Sequence, residues 1–137
     1  MASVADSSKT IFIADDSASQ RRYLEILLSL DGHQVTTSNS SEALEAARQA
    51  KPDLIILAIN VNDTDGLEIC RDMKRWNDLA GVPIILITSL ENEQTWKLAE
   101  DAQADALITK PLMGKNIRGL IGGILERKAP AHTFAVY

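Results

Sequence analysis

Residues 53–59 read Asp53-Leu54-Ile55-Ile56-Leu57-Ala58-Ile59, and the six from Leu54 to Ile59 are the longest wholly apolar run in the chain. Six residues fall far short of the ~20 that a membrane span requires. They suit a short strand covered on both faces, which is what a parallel sheet between helices demands. Working outward in both directions, four more runs repeat the theme: Thr10–Ala14, Gln34–Ser38, Pro83–Thr88 and Ala106–Thr109. Gln34–Ser38 has Val35 as its only large apolar residue and is the candidate edge strand.

Helical patterns with readable ends lie between the runs. Ser17 with Gln20 makes a capping box, followed by the stripe Tyr23, Leu24, Leu27, Leu28 and the stop Asp31-Gly32. Asn39 with Glu42 reads as a second N-cap, leading through Leu44, Ala47 and Ala50 to Pro52. Gly66 opens a third helix that turns Leu67, Ile69, Cys70 and Met73 inward, and a fourth spans Asn92–Gln103. The fifth carries Ile117, Leu120, Ile121, Ile124 and Leu125 at helical spacing, despite Gly122 and Gly123. Five βα units predict an α/β fold, a doubly wound five-stranded parallel sheet with five helices in three layers. Residues 1–8 read as an N-terminal tail and 9–127 as one domain. Residues 128–137, with Pro130 and no periodicity, read as a flexible tail or linker stub.

Composition narrows the function classes. Fourteen basic against nineteen acidic residues give a net charge of −5 and a pI near 5.0, which disfavours nucleic acid or a membrane surface as partner. The single cysteine, Cys70, has no internal disulfide partner, and Met1–Lys9 lacks a signal-peptide pattern. Both point to the cytoplasm. His33, after the first helix stop, and His132, in the tail, read as solvent-facing; Cys70 reads as a buried small hydrophobe. Trp76 reads as a rim residue covering the core.

In doubly wound folds the site forms at the carboxyl ends of the strands. The first run ends in Asp15-Asp16, with none of the glycines that a dinucleotide turn needs. Two adjacent carboxylates suit Mg²⁺, which takes one or two protein carboxylates and keeps waters; the plainer alternative is that one of them helps cap the first helix. The fourth run ends in Thr88-Ser89 and the fifth in Lys110-Pro111. Carboxylates, a hydroxyl and an ammonium at three strand ends suit a metal-assisted phosphoryl group.

These motifs carry a family resemblance. Ile13-Ala14-Asp15-Asp16-Ser17, Pro52-Asp53-Leu54-Ile55-Ile56-Leu57, Asp65-Gly66-Leu67-Glu68, Val82-Pro83-Ile84-Ile85-Leu86-Ile87-Thr88 and Ile108-Thr109-Lys110-Pro111 follow in order across residues 9–127. In that order and spacing the chain resembles the receiver domain of bacterial two-component response regulators, a flavodoxin-like fold. The resemblance implies Mg²⁺ held by Asp16 directly, by Asp15 through water and by the backbone carbonyl of Asn60. It implies Thr88 as the hydroxyl that moves onto the phosphoryl group and Lys110 as the paired cation. It implies a sensor histidine kinase or phosphotransfer protein upstream and an effector protein or domain downstream.

One position departs from the family. The acceptor aspartate belongs at the end of the third run, where this chain has Ala58. A methyl group cannot accept a phosphoryl group, and shifting the strand by one residue would reverse its buried face. The expectation is a non-enzymatic receiver module acting through protein contacts, not phosphorylated at the family's site, with weak or absent Mg²⁺. Substitution or recent loss of the aspartate would explain it, and so would a natural, phosphorylation-independent pseudo-receiver. A phosphatase-like enzyme with an aspartyl nucleophile needs two aspartates separated by one residue, a spacing that Asp15-Asp16 fails. For the output face the resemblance places Leu107 where an aromatic switch residue is usual, and Trp96 in the fourth helix is a candidate anchor. Packing against its neighbours is the equally weighted alternative for Trp96.

Overall fold

A computed structural model describes residues 9–59, 65–89, 93–110, 114–126 and 135–136. Strands β1 (Thr10–Ala14), β2 (Gln34–Ser38), β3 (Leu54–Ala58), β4 (Ile84–Thr88) and β5 (Ala106–Thr109) alternate with helices α1 (Ala18–Leu30), α2 (Ala43–Ala50), α3 (Asp65–Arg75), α4 (Glu93–Asp101) and α5 (Gly114–Leu125). With a two-residue strand β6 (Ala135–Val136), the sheet order is β2-β1-β3-β4-β5-β6, all parallel, with β2 at one edge as its polar composition predicts.

Strand alternation divides the core in two. Phe12, Ile55, Leu57, Ile84, Leu86 and Leu107 pack with residues of α2, α3 and α4. Ile11, Ile13, Leu54, Ile56, Ile85, Ile87 and Ile108 pack on the other face with α1 and α5. Every residue from Ile11 to Ala14, Leu54 to Leu57 and Ile84 to Thr88 is buried, so none of these strands has a wet face.

The helix ends follow local chemistry. Ser17 holds extended backbone and its Oγ accepts the Gln20 N–H at 3.3 Å. At the other end, His33 N–H donates to Leu28 O and Gly32 N–H to Ser29 O, with Gly32 at φ 89°. This is the paired-carbonyl stop that favours glycine in the left-handed region. Helix α2 stops at Lys51 (φ 50°) and the turn after α4 at Gln103 (φ 68°), left-handed positions filled without glycine.

Three expectations need correction. Tyr23 is not part of the buried stripe of α1: it is 41% exposed, and Leu24 and Leu28 make the contact while Ile26 and Leu30 also face out. Asn39 does not begin α2. Its Oδ1 accepts the Glu42 N–H, as an N-cap would, but residues 41–42 form a turn and the helix starts at Ala43. The tail is not wholly without structure, because Ala135–Val136 form β6, pairing with Ala106 and Leu107 of β5. Ladder bonds are made by backbone, so this pairing needs no side-chain periodicity.

Ties far apart in sequence close the lower end of the sheet, opposite the strand ends that carry Asp15 and Lys110. Lys74 Nζ lies 2.9 Å from Asp105 Oδ2 and donates to Val82 O, and the same carboxylate oxygen accepts the Ile84 N–H at 2.7 Å. The two side chains are only 10% and 5% exposed. Trp76 packs on the core beneath the Arg48 guanidinium, 4.1 Å from the ring centroid. Arg118 of α5 pairs with Asp31 at the end of α1, and this hydrogen-bonded pairing holds its guanidinium above the usual arginine range.

Removing one member of a buried ion pair strands the other charge. Asp105→Ala therefore lowers stability by about 3–5 kcal/mol in urea denaturation, and Asp105→Asn, which keeps an acceptor for Ile84, falls between it and the parent. Cys70 is buried with its Sγ directed at Ala102 O. Burial pushes its thiol from 9.0 up to about 12, with Lys74 opposing, Asp105 adding and Arg71 opposing. Between those values the unfolded chain loses the thiol proton while the folded chain keeps it, so stability falls as pH rises. The stability advantage of the parent over Cys70→Ala, measured by denaturation, shrinks from pH 9 toward pH 12.

Candidate functional site

The strand registers bring the sequence-predicted residues to one edge. Ala14 is level with Leu57, so Asp15 follows level with Ala58. Ala58 is level with Ile87, placing Thr88 one step beyond, and Thr88 is level with Thr109, placing Lys110 one step further. Ala58 continues the alternation of Leu54 and Ile56 toward the α1 and α5 face, and it is the one residue of β3 that is not buried. Lys110 is half-buried and its backbone N–H donates to Thr88 O at 2.8 Å. Thr88 is fully buried. Asn60 and Pro111 lie outside the described residues.

The two carboxylates have different surroundings. Asp15 is 5% exposed; its Oδ1 accepts the Ser17 N–H at 2.9 Å, and its Oδ2 is buried with no partner among the described residues. Asp16 is exposed and its Oδ1 accepts the Ser40 N–H at 2.9 Å, tying the β1 end to the turn before α2. Arg21 Nη1 donates to the backbone carbonyl of Asp15. The capping alternative thus describes one oxygen of Asp15 and leaves the other without a role. Among the described residues no group of three or more His, Cys, Asp or Glu gathers to hold a metal ion. An orphaned buried carboxylate oxygen beside a second carboxylate does fit a hard cation completed by water.

Two features escaped the sequence. Arg21 stands in the first turn of α1, and only its helical position relative to Ser17 hints that it reaches back. Gly66 packs against the end of β3: a Cβ there would lie 2.5 Å from Ile59 Cγ2 and 3.1 Å from Ala58 O. Glycine at that position lets α3 begin against the strand end and so fixes where the loop after β3 returns.

Toward the sheet edge, Leu107 is fully buried in the core, while Trp96 is half-buried on α4, packed on the same core. The Trp96 Nε1 is buried without a partner among the described residues. His33 is half-buried, its Nδ1 accepting the Lys9 N–H at 3.2 Å; His132 lies outside the described residues.

Comparison with protein-family models matches residues 11–121 to the response regulator receiver domain. The chain belongs to that family. Among curated proteins, this receiver domain is 32% identical to the transcriptional regulatory protein AfsQ1 of Streptomyces coelicolor over 119 residues, 86% of this chain and 52% of AfsQ1. It is 31% identical over 121 residues to PhoP of Bacillus subtilis, an alkaline phosphatase synthesis transcriptional regulatory protein, covering 88% of this chain and 50% of PhoP. The chain thus spans about half the length of these relatives. Among solved structures, the signal receiver domain of a signal transduction histidine kinase from Syntrophus aciditrophicus superposes with a TM-score of 0.78 at 28% identity, covering 91% of this chain and 97% of the other. The chemotaxis protein CheY4 of Vibrio cholerae reaches 0.78 at 22% identity, over 84% and 97%, and shares the fold. Five parallel strands with five helices are the receiver architecture expected from the sequence, and β6 is added to it. No helix among the described residues is long and apolar enough to cross a membrane.

The Gly66 contact is measurable. Gly66→Ala forces the Ile59 side chain and the β3 end apart and lowers stability by about 1–3 kcal/mol, read as a drop in melting temperature.

Proposed function

We propose that this receiver domain works by protein–protein contact, without being phosphorylated at the end of β3 and without catalysing a reaction of its own. The observation that carries the reading is Ala58, half-exposed at the carboxyl end of β3, where the family places its acceptor aspartate. Its methyl group has no lone pair with which to attack phosphorus, so no acyl phosphate forms there. The rest of the pocket is retained: Asp15 and Asp16 at the β1 end, Thr88 at the β4 end and Lys110 after β5. In this reading Lys110 and Thr88 supply a cation and a hydroxyl for an oxyanion. Asp15, Asp16 and the backbone carbonyl of Asn60 would hold Mg²⁺ weakly. When bound, Mg²⁺ would neutralise charge on an incoming phosphoryl group. With only two carboxylates, affinity drops, because hard-cation binding follows ligand charge and number.

The partners proposed are those of the family: a sensor histidine kinase or phosphotransfer protein, and an effector protein or domain. Retention of Asp15, Asp16, Thr88 and Lys110 favours substitution or recent loss of the acceptor over a long-established pseudo-receiver, since nothing would keep all four in an abandoned site.

Ala58→Asp tests the reading. Incubated with Mg²⁺ and a small phosphodonor, this chain gives no phosphoryl adduct by intact mass, whereas Ala58→Asp gives one. An adduct on the unaltered chain overturns the proposal. In parallel titrations Ala58→Asp binds Mg²⁺ more tightly, and without Mg²⁺ it melts lower, because a third carboxylate beside Asp15 and Asp16 adds repulsion.

A further inference from the structure

Two buried polar atoms near the start of α1 lack partners, and they are of opposite kinds. The ionised Asp15 Oδ2 only accepts hydrogen bonds and Gln20 Nε2 only donates them; both are buried with no partner among the described residues. They do not satisfy each other. Helical spacing puts Gln20 one turn before Leu24 and two before Leu28, both of which pack on the α1 and α5 face of the sheet. Gln20 therefore tops that stripe, at the end of the helix nearest the carboxyl ends of the strands.

Three strand-end residues face the same layer. Ladder bonds carry the alternation of β1 through Asp15, whose N–H donates to Ser38 O, and that of β5 through Lys110, whose N–H donates to Thr88 O. Asp15 thus follows Ile11 and Ile13, Ala58 follows Leu54 and Ile56, and Lys110 follows Ala106 and Ile108. None of the ion pairs between described residues uses Lys110. Between the acceptor on β1 and the ammonium after β5, β3 contributes only the methyl group of Ala58. The fold gathers two donors and one acceptor there, and no side chain of its own joins them.

That set of groups selects its ligand by protonation state. A carboxylate, or sulfate fully ionised at neutral pH, would meet the two donors but repel Asp15. Hydrogen phosphate keeps a proton: its oxygens accept from Lys110 and Gln20 while its P–OH donates to Asp15 Oδ2. We propose that Gln20 is a ligand-selecting residue of this pocket: with Lys110 it holds free inorganic phosphate over Ala58, and Asp15 rejects sulfate by requiring the proton. No bond to phosphorus forms or breaks. The inference rests on the reading that the pocket receives an oxyanion, and adds to it Gln20, non-covalent capture and the demand for a protonated ligand.

The test is a titration of the full chain, followed by NMR of backbone amides and side-chain carboxamides, with EDTA present to remove bridging cations. Sodium phosphate should shift the Gln20 side-chain NH₂ and the Lys110 amide saturably, and sodium sulfate at equal ionic strength should bind about tenfold more weakly or less. Gln20→Met keeps the length and loses the donor, and should lower phosphate affinity about tenfold or more, as loss of a hydrogen bond to a charged group does. Asp15→Asn offers an N–H where the parent only accepts, so sulfate should then bind at least as tightly as phosphate. That inversion is a readout that a purely structural role for either residue would not produce, and it decides the matter even if Gln20→Met does not fold. Absence of a saturable phosphate shift at Gln20, equal response to sulfate in the parent, or unchanged preference in Asp15→Asn overturns the proposal. Its failure is separable from failure of the underlying reading, because the phosphoryl adduct on Ala58→Asp is measured independently of free phosphate binding to the unaltered chain.

Discussion

Parallel pairing of β1, β3 and β4 with helices on both faces removes almost every side chain of these strands from water. A polar group placed mid-strand would be buried without a partner, at a cost of roughly 1–3 kcal/mol. Polar chemistry is therefore confined to the residues where each strand stops. Because the strands run one way and their registers step only slightly, the stops coincide, and Asp15, Ala58, Thr88 and Lys110 meet along one edge although they are spread over most of the chain. The opposite ends are sealed instead by the Lys74–Asp105 pair, which also receives the first N–H of β4.

The fold was legible because its signals are local. Apolar runs of four to six residues mark β1, β3, β4 and β5, and Ser17, Gly32 and Pro52 mark helix limits through backbone rules that hold wherever the segment sits. The misreadings fall where something beyond the residue pattern decided the outcome. Tyr23 fits the helical period of the buried stripe, but Leu24 and Leu28 fill the contact with the sheet and leave Tyr23 at its border. Asn39 accepts the hydrogen bond a cap accepts, yet a turn intervenes before Ala43. Asp105 binding Lys74, and Arg118 binding Asp31, are pairings across 31 and 87 residues that no local pattern encodes. Strand β6 was missed because a two-residue edge strand uses its backbone alone.

The candidate site was legible in another sense. The residue types at the strand ends suggested a phosphoryl pocket, and the departure at Ala58 could be located because the strand frame around it is unambiguous. The two aspartates were not distinguishable in sequence. In the fold Asp15 is buried and serves the first turn of α1 through the Ser17 N–H, whereas Asp16 stays exposed and braces the turn at Ser40. Each has thus one oxygen committed to backbone, which fixes its orientation and leaves the other oxygen for a ligand.

That division bears on why the pocket persists around an alanine. If Asp15 served only to orient α1, a neutral side chain of the same shape would do so without burying a charge, as the capping preferences of asparagine show. Its second oxygen is instead buried without a partner among the described residues, an arrangement that costs free energy unless a cation or a proton meets it. Folding alone does not account for the carboxylate at this position. On the proposed reading its role is metal binding inherited with the rest of the receiver pocket. The same oxygen makes Ala58 consequential: a third carboxylate level with Asp15 would bring both tighter metal binding and stronger repulsion, and the alanine relinquishes both together.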